Sequence, residues 1–191
     1  MSTLSILLVD DHTILRQGLK QILRDELDGV AFGEAENAAD ALALLRIQSW
    51  DILILDVNLP GRNGFEVLTV VQRDYPAVPV LVLSSTPEDQ LGLRSLRAGA
   101  SGYLNKQTAP EQLVVAVRQI LDGQRYVSKA LAQKLLTELG RTAAEQPRHE
   151  SLSARELQVF LLCASGKSVK TIADELALSA KTISTFRSRI F

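Results

Sequence analysis

The stretch Asp51-Ile-Leu-Ile-Leu-Asp56, followed by Val-Asn-Leu-Pro-Gly-Arg-Asn-Gly64, decides how the rest of the chain is read. The apolar run Ile52 to Leu55 has no polar alternation, which predicts a strand buried on both faces. A carboxylate stands at its C-terminal end, and Pro60, Gly61 and Gly64 break the chain directly after it. In open parallel sheets, ligands bind outside the carboxyl ends of the strands, so Asp56 points to where such a fold does its chemistry. Asp is also common in turns. The reading therefore depends on what other segments deliver to the same edge.

Working outward, Leu4 to Val9 is an apolar strand ending in Asp10-Asp11. Residues 12–26 carry Ile14, Leu15, Leu19, Ile22 and Leu23 at helical spacing. Val30 to Ala35 is a short strand, and Asn37 is an N-cap for a helix over 38–48 with the apolar face Ala41, Leu42, Leu44 and Leu45. Beyond the central strand, a helix runs from about Gly64 to Tyr75, and Pro76 and Pro79 punctuate. Val80 to Leu83 is a fourth buried strand ending in Ser84-Ser85-Thr86, and a helix over 87–98 is closed by Gly99. Gly102 to Asn105 is a fifth strand ending at Lys106, and Pro110 opens a helix to about Leu121. Five strand–helix pairs in strict alternation predict an α/β fold with a five-stranded, parallel, doubly wound sheet.

Residues 128–139 read as an extra helix, and Gly140 to Glu150, polar and containing Pro147, reads as a linker. After Ser151 only helices follow. Ser153 and Glu156 form a capping box for a helix to about Ala164, and Gly166 stops it. Ser168 caps a second helix ending near Ala177, and Ser179 caps a third running to Phe191. The expected domains are 1–124, an extra helix and linker over 125–150, and an all-α domain over 151–191. Residues 1–140 hold 13 Lys+Arg against 17 Asp+Glu, net −4, whereas residues 141–191 hold 8 against 5, net +3. An acidic front and a basic tail suggest different partners, with an anion such as nucleic acid suited to the tail. No apolar run approaches the length of a membrane span, the N-terminus lacks a secretory pattern, and the single Cys163 excludes an internal disulfide framework. A cytoplasmic protein is the expectation.

Four strand ends deliver polar groups to one edge: Asp10 and Asp11, Asp56, Ser84, and Lys106. At about 4 Å, each carboxylate pair repels by roughly 1 kcal/mol in water-like surroundings and roughly 4 kcal/mol at an effective dielectric of 20. Such a cluster stays ionised only with a cation, and hard oxygens with open water positions suit Mg²⁺. Lys106 adds a point charge for an anion and Ser84 a hydroxyl, which makes a phosphoryl-binding site with Asp56 placed to attack phosphorus. Taken alone, each residue has an ordinary reading. Asp10 or Asp11 caps the following helix, Lys106 is a surface lysine, Ser84 a strand-end hydroxyl, Tyr103 half-buried packing. Their convergence carries the functional reading. His12 has no second histidine at ligand spacing, since His149 is in the linker, and neither is read as a metal ligand.

These residues resemble the receiver domain of bacterial two-component response regulators, a flavodoxin-like fold, over residues 1–122. The matching pieces are Val9-Asp10-Asp11, Leu55-Asp56 with Leu59-Pro60-Gly61 and Gly64, Leu83-Ser84-Ser85, and Gly102-Tyr103-Leu104-Asn105-Lys106. The resemblance implies that Asp56 is the phosphoacceptor. It implies Mg²⁺ on Asp11, Asp56 and the backbone carbonyl of Asn58, with Asp10 acting through water. Ser84 and Lys106 would contact the phosphoryl oxygens, and the Tyr103 rotamer would follow Ser84. The position after the lysine, often proline in receivers, is Gln107.

In the tail, Ile172, Ala173, Leu176, Leu178, Ile183 and Phe186 are apolar, and a short turn at Leu178-Ser179 separates two helices, as in a helix-turn-helix. At 100° per residue the last helix has a core face of Ile183, Phe186 and Ile190 and an opposite face of Lys181, Ser184, Thr185 and Ser188, flanked by Arg187 and Arg189. That pattern suits a groove-reading helix, with Thr182 and Lys170 as further contacts, although an ordinary solvated face has the same composition. The segment 151–191 resembles the LuxR-type helix-turn-helix through Leu152-Ser153, Arg155-Glu156, Val159, Gly166, Ile172-Ala173, Leu176, Ser179 and Lys181-Thr182-Ile183. Phe186 stands where that family most often has histidine. The family has further helix beyond the position of Phe191, so weak, salt-dependent DNA binding by this chain is the expectation. The chain as a whole resembles a NarL/FixJ-type response regulator. This implies phosphorylation by a sensor histidine kinase, control of transcription through double-stranded DNA, and homodimer formation on phosphorylation. It implies no enzyme beyond self-catalysed phosphoryl chemistry. Two rivals are a Mg²⁺-dependent phosphatase, disfavoured because Asn58 stands where such enzymes carry a second Asp, and a phosphorylation-dependent adaptor that binds no DNA.

Overall fold

A computed structural model describes residues 3–59, 64–139 and 152–190. The expected break at Pro60-Gly61, the Gly140–Glu150 linker with His149, and Phe191 lie outside the described residues. The chain divides into two compact units, Met1–Leu136 and Thr137–Phe191.

In the first unit β1 (Leu4–Val9), α1 (Thr13–Glu26), β2 (Val30–Ala35), α2 (Ala38–Ile47), β3 (Ile52–Asp56), α3 (Gly64–Asp74), β4 (Val80–Ser84), α4 (Glu88–Arg97), β5 (Gly102–Asn105) and α5 (Ala109–Leu121) alternate without exception, and α6 (Lys129–Leu139) follows. The five strands are all parallel in the order β2-β1-β3-β4-β5. Every residue of β3 and β4 is buried, as runs without polar alternation require. On one face of the sheet Ile6, Leu8, Ile52, Ile54, Leu81, Leu83 and Leu104 pack against Leu19 and Leu23 of α1 and Leu113, Val117 and Ile120 of α5. Strand residues alternate sides, so Leu7, Leu53, Leu55, Val80, Val82 and Tyr103 serve the other face.

Local signals place the ends. The Asn37 side chain accepts from the Asp40 N–H at 3.0 Å and caps α2. Gly99 closes α4 at φ +100, which a residue with a Cβ rarely adopts. Gly64 allows α3 to start against the end of β3, because a Cβ there would sit 2.4 Å from the Asp56 carbonyl oxygen. Helix α6 packs on α4. Leu131 is buried beside Gly92, Ser128 Oγ donates to Glu88 Oε2 at 2.5 Å, and Lys134 Nζ donates to the Asp89 carbonyl at 2.5 Å.

The second unit holds α7 (Ala154–Ala164), α8 (Val169–Glu175) and α9 (Ala180–Ile190). The capping box is present, with Ser153 Oγ accepting from the Glu156 N–H and the Glu156 carboxylate accepting from the Ser153 N–H. Val159, Ile172, Ala173, Leu176 and Ile183 form the core, with Leu162, Phe186 and Ile190 packed on it. Cys163 is only partly buried and also packs on this cluster. Helix α8 stops at Glu175, two residues before the expected Ala177, because Ala177 takes a left-handed φ of 50 to turn the chain. Among the described residues no helix is long and apolar enough to cross a membrane.

Candidate functional site

The parallel sheet brings Asp10, Asp56, Ser84 and Lys106 to its carboxyl edge. Asp10 follows β1, Asp56 ends β3, Ser84 ends β4 and Lys106 follows β5. Asp10 and Asp56 are 2% and 1% exposed, a burial that carboxylates tolerate only with partners. Lys106 Nζ supplies one, lying 2.6 Å from Asp56 Oδ2 and 2.6 Å from Asp10 Oδ2. Asp56 Oδ1 accepts from the Asn58 N–H at 2.8 Å. Ser84 Oγ accepts from Asn58 Nδ2 at 3.0 Å and from the Thr86 N–H at 3.1 Å. Tyr103, buried in β5, donates its hydroxyl to the Thr86 carbonyl at 2.5 Å, and Asn105 Nδ2 donates to the same oxygen at 3.1 Å.

Asp11 is more exposed, and its carboxylate faces His12 Nδ1 at 2.8 Å. The same ring nitrogen lies 2.9 Å from Asp10 Oδ1, which also accepts the His12 N–H at 2.8 Å. The expected alternative of a side-chain cap on α1 is not realised: His12 holds the N-cap position without a side-chain cap bond. Asp10, Asp11, His12 and Asp56 each offer a ligand atom within 4.8 Å of the others. Asp10 Oδ2 is buried, and Lys106 Nζ, 2.6 Å away, is the partner it meets among the described residues. A hard oxygen set with an under-used buried lone pair fits a divalent cation.

The tail presents the opposite kind of surface. Lys170, Lys181, Ser184, Thr185, Arg187, Ser188 and Arg189 are exposed, while Ile183 on the same helix is 0% exposed. Ser184 Oγ donates to the Ala180 carbonyl at 2.9 Å and Thr185 Oγ1 to the Lys181 carbonyl at 3.0 Å, which leaves both oxygens able to accept. Thr182 is tied into the helix start instead, its hydroxyl 2.7 Å from Ser179 Oγ and its N–H donating to that oxygen at 3.0 Å. Arg155 Nη2 donates to the Leu176 carbonyl at 2.9 Å and so holds the turn between α8 and α9.

Two family models match the chain. The response regulator receiver domain matches residues 6–118, and the luxR family of bacterial regulatory proteins matches residues 150–191. The chain belongs to the two-component response regulators. It has a receiver domain and a LuxR-type DNA-binding helix-turn-helix, in a family of regulators rather than of enzymes acting on an outside substrate. The response regulator GacA of Pseudomonas aeruginosa is 37% identical over 189 residues, covering 98% of this regulator and 88% of that protein. The response regulator UvrY of Escherichia coli is 36% identical over 189 residues, covering 98% and 86%. Among solved structures, RcsB from Salmonella enterica serovar Typhimurium, bound to a promoter in the presence of the phosphomimetic BeF3⁻, is 25% identical. It has a TM-score of 0.67 and covers 99% of this chain and 91% of that one.

In this regulator the receiver pocket is electrostatically strained. Burial pushes the Asp56 carboxyl above its ordinary value, and neither the Lys106 ammonium nor the Asn58 N–H fully offsets it. Burial works against the Lys106 charge as well, yet Asp56 and Asp10 outweigh it and hold the ammonium above the usual lysine range. Burial also pushes the Tyr103 phenol up, so it stays a neutral donor. Of the residues singled out from the sequence, Asp10, Asp11, Asp56, Asn58, Ser84 and Lys106 converge. Asn58 enters through its N–H and side-chain amide. His12, passed over for want of a second histidine, joins the cluster simply by following the acid pair. Thr86 and Asn105 left no signal beyond their positions at strand ends. The described residues have no cis peptide, so the Lys106–Gln107 bond is trans.

Proposed function

We propose that Asp56 accepts a phosphoryl group from a sensor histidine kinase, and that this modification controls transcription through the DNA-binding face of α9. The observation that carries the reading is the buried Asp56 carboxylate with Lys106 Nζ at 2.6 Å and Asp10 and Asp11 beside it. A carboxylate oxygen of Asp56 attacks phosphorus, the phosphoryl bond to the donor's histidine nitrogen breaks, and the nitrogen keeps the electron pair. Lys106 faces the negative charge on the transferred group. Asp11, Asp56 and the Asn58 carbonyl would hold Mg²⁺, with Asp10 acting through water, and the bound ion would neutralise charge on the phosphoryl oxygens. Asn58, with its N–H and amide on Asp56 and Ser84, offers no second acid for hydrolysis of external esters.

Ser84 Oγ accepts two hydrogen bonds, and its O–H, which also lies within reach of the Tyr103 hydroxyl, can turn to donate to a phosphoryl oxygen. Drawing Ser84 toward phosphate strains its bond to the Thr86 N–H, and Thr86 also holds Tyr103 and leads into α4. Helix α6 is fastened to the first turn of α4 through Glu88 and Asp89. A two-state shift at Thr86 therefore reaches the segment that leads to the linker. In the tail, Lys170, Lys181, Arg187 and Arg189 contact phosphates, while Thr182, Ser184, Thr185 and Ser188 face bases, in a homodimer formed on phosphorylation. The working boundaries are a receiver over 1–124, an extra helix and linker over 125–150, and the DNA-binding domain over 151–191, in a cytoplasmic protein. RcsB bound to a promoter in the presence of a phosphomimetic supports a link between receiver phosphorylation and DNA binding.

Incubation with acetyl phosphate and Mg²⁺ should add one base-labile phosphoryl group by intact-mass measurement, and Asp56→Asn should add none. Ser84→Ala should still be labelled but lose the phosphorylation-dependent gain in DNA binding. Equal labelling of the Asn variant would overturn the assignment.

A further inference from the structure

We propose that Arg16 is a positioning residue for the acid pair: from inside α1 it grips the backbone of Asp10 and thereby sets the divalent-cation affinity of the pocket. The inference rests on the cation reading of that pocket. The Arg16 side chain is 5% exposed, which is rare for arginine and requires partners. Nη1 donates to the Asp10 carbonyl at 2.5 Å, Nη2 to Glu36 Oε1 at 2.6 Å and Nε to Glu34 Oε2 at 3.1 Å. One rigid guanidinium thus ties the end of β1 to the end of β2.

The carbonyl contact is the informative one. Glu34 is already paired with Lys20, and the Glu34 and Glu36 side chains are 30% and 61% exposed, so neither needs Arg16 for its charge to be solvated. The Asp10 carbonyl gains most. The Asp10 N–H donates to the Ala35 carbonyl at 3.1 Å, so with Arg16 on its carbonyl both backbone polar groups of Asp10 are held. The Asp10–Asp11 peptide is fixed, and only the side chains remain to adjust toward a cation. Arg16 faces no reacting atom. It acts through Asp10, as groups behind metal ligands generally do.

The test measures metal affinity on the full chain without phosphodonor, by the loss of the free Mn²⁺ signal in electron paramagnetic resonance. Calorimetric titration with Mg²⁺ repeats it. Arg16→Met should weaken Mn²⁺ binding by about tenfold, the low end of what groups behind metal ligands contribute. Arg16→Lys, with one donor site and no fork, should recover part of it. A Glu34→Gln/Glu36→Gln double variant keeps the arginine but frees its outer end, and should weaken binding less than Arg16→Met. Amide exchange at Asp11 to Thr13 should quicken in Arg16→Met while β4 amides stay protected, which a general loss of stability would not produce. Should Arg16→Met fail to fold, Arg16→Lys and the double variant carry the test, and parent-like affinity in both overturns the proposal. Variants that bind like a metal-binding parent overturn the role of Arg16 alone. A parent that binds no divalent ion overturns the pocket reading and this inference with it.

Discussion

The receiver pocket and the outer face of α9 both display charged and hydroxyl side chains, but they use them in opposite ways. In the pocket Asp10, Asp56 and Ser84 are at most 2% exposed, and each described polar contact fixes a neighbour. On α9 the cations are exposed, and the Ser184 and Thr185 hydroxyls bond to carbonyls of their own helix. Buried charges interact strongly and are sensitive to each partner, whereas exposed ones are screened and nearly independent. A single substitution should therefore reorganise the pocket, while it should only tune the helix.

The sharpest contrast comes from removing one lysine on each side. Lys106→Ala leaves two buried carboxylates facing each other, and breaking a buried pair costs about 3–5 kcal/mol. Chemical denaturation in chelator should show that loss, and millimolar Mg²⁺ should restore much of it. Stability unchanged in chelator would mean the pocket is solvated like a surface.

A second substitution asks whether the tail's face depends on its core. Ile183→Ala, at a fully buried position, should cost about 2–5 kcal/mol. Calorimetry should show the tail transition falling while the receiver transition stays in place. A shift of both would mean that the two units unfold together.

Third, Asp56→Asn separates charge from shape. Burial raises the folded-state pKa of Asp56, so this group stabilises the fold only when protonated. That contribution is complete below the ordinary carboxylate value and is lost as pH rises through the raised folded value. At neutral pH without metal the parent therefore carries the cost of an ionised buried group, and Asp56→Asn should melt higher. The difference should shrink as pH falls toward the ordinary carboxylate range. A lower melting temperature at neutral pH would show that the bond to Lys106 outweighs burial.

The smallest effect is expected on α9. Lys181→Ala should change stability by less than about 0.5 kcal/mol. It should weaken binding to all duplexes alike and reduce the slope of log affinity against log salt by about 0.9, one phosphate contact. Fluorescence anisotropy over a salt series reads both. A loss confined to one sequence would move Lys181 from phosphate contact to base reading.

Much of the fold was legible because its signals are local. Apolar runs without alternation marked β3 and β4, and Asn37, Gly99, Ser153 and Ser168 stand at the helix ends their side chains or backbone freedom suit. The end of α8 was harder to read, because the turn uses Ala177 at positive φ, where glycine or asparagine is the usual signal. In the pocket, residue types at strand ends were readable, but their pairing was not. The expectation that the carboxylates need a cation is met in part from within the chain, by Lys106 reaching across from β5.

The sequence by itself determined the order of strands and helices, the chemistry available at each strand end, and the amphipathic face of α9. Each is written in spacing along a short window, so neighbouring residues suffice. Only the tertiary structure decided that one ammonium lies 2.6 Å from two acids, that Thr86 links Ser84 to Tyr103, and that Arg16 holds the carbonyl of Asp10. The Lys106 and Tyr103 contacts join residues far apart in the chain, while Arg16 and Thr86 reach only six and two residues. In every case the geometry follows from sheet order and side-chain reach, which periodicity does not encode.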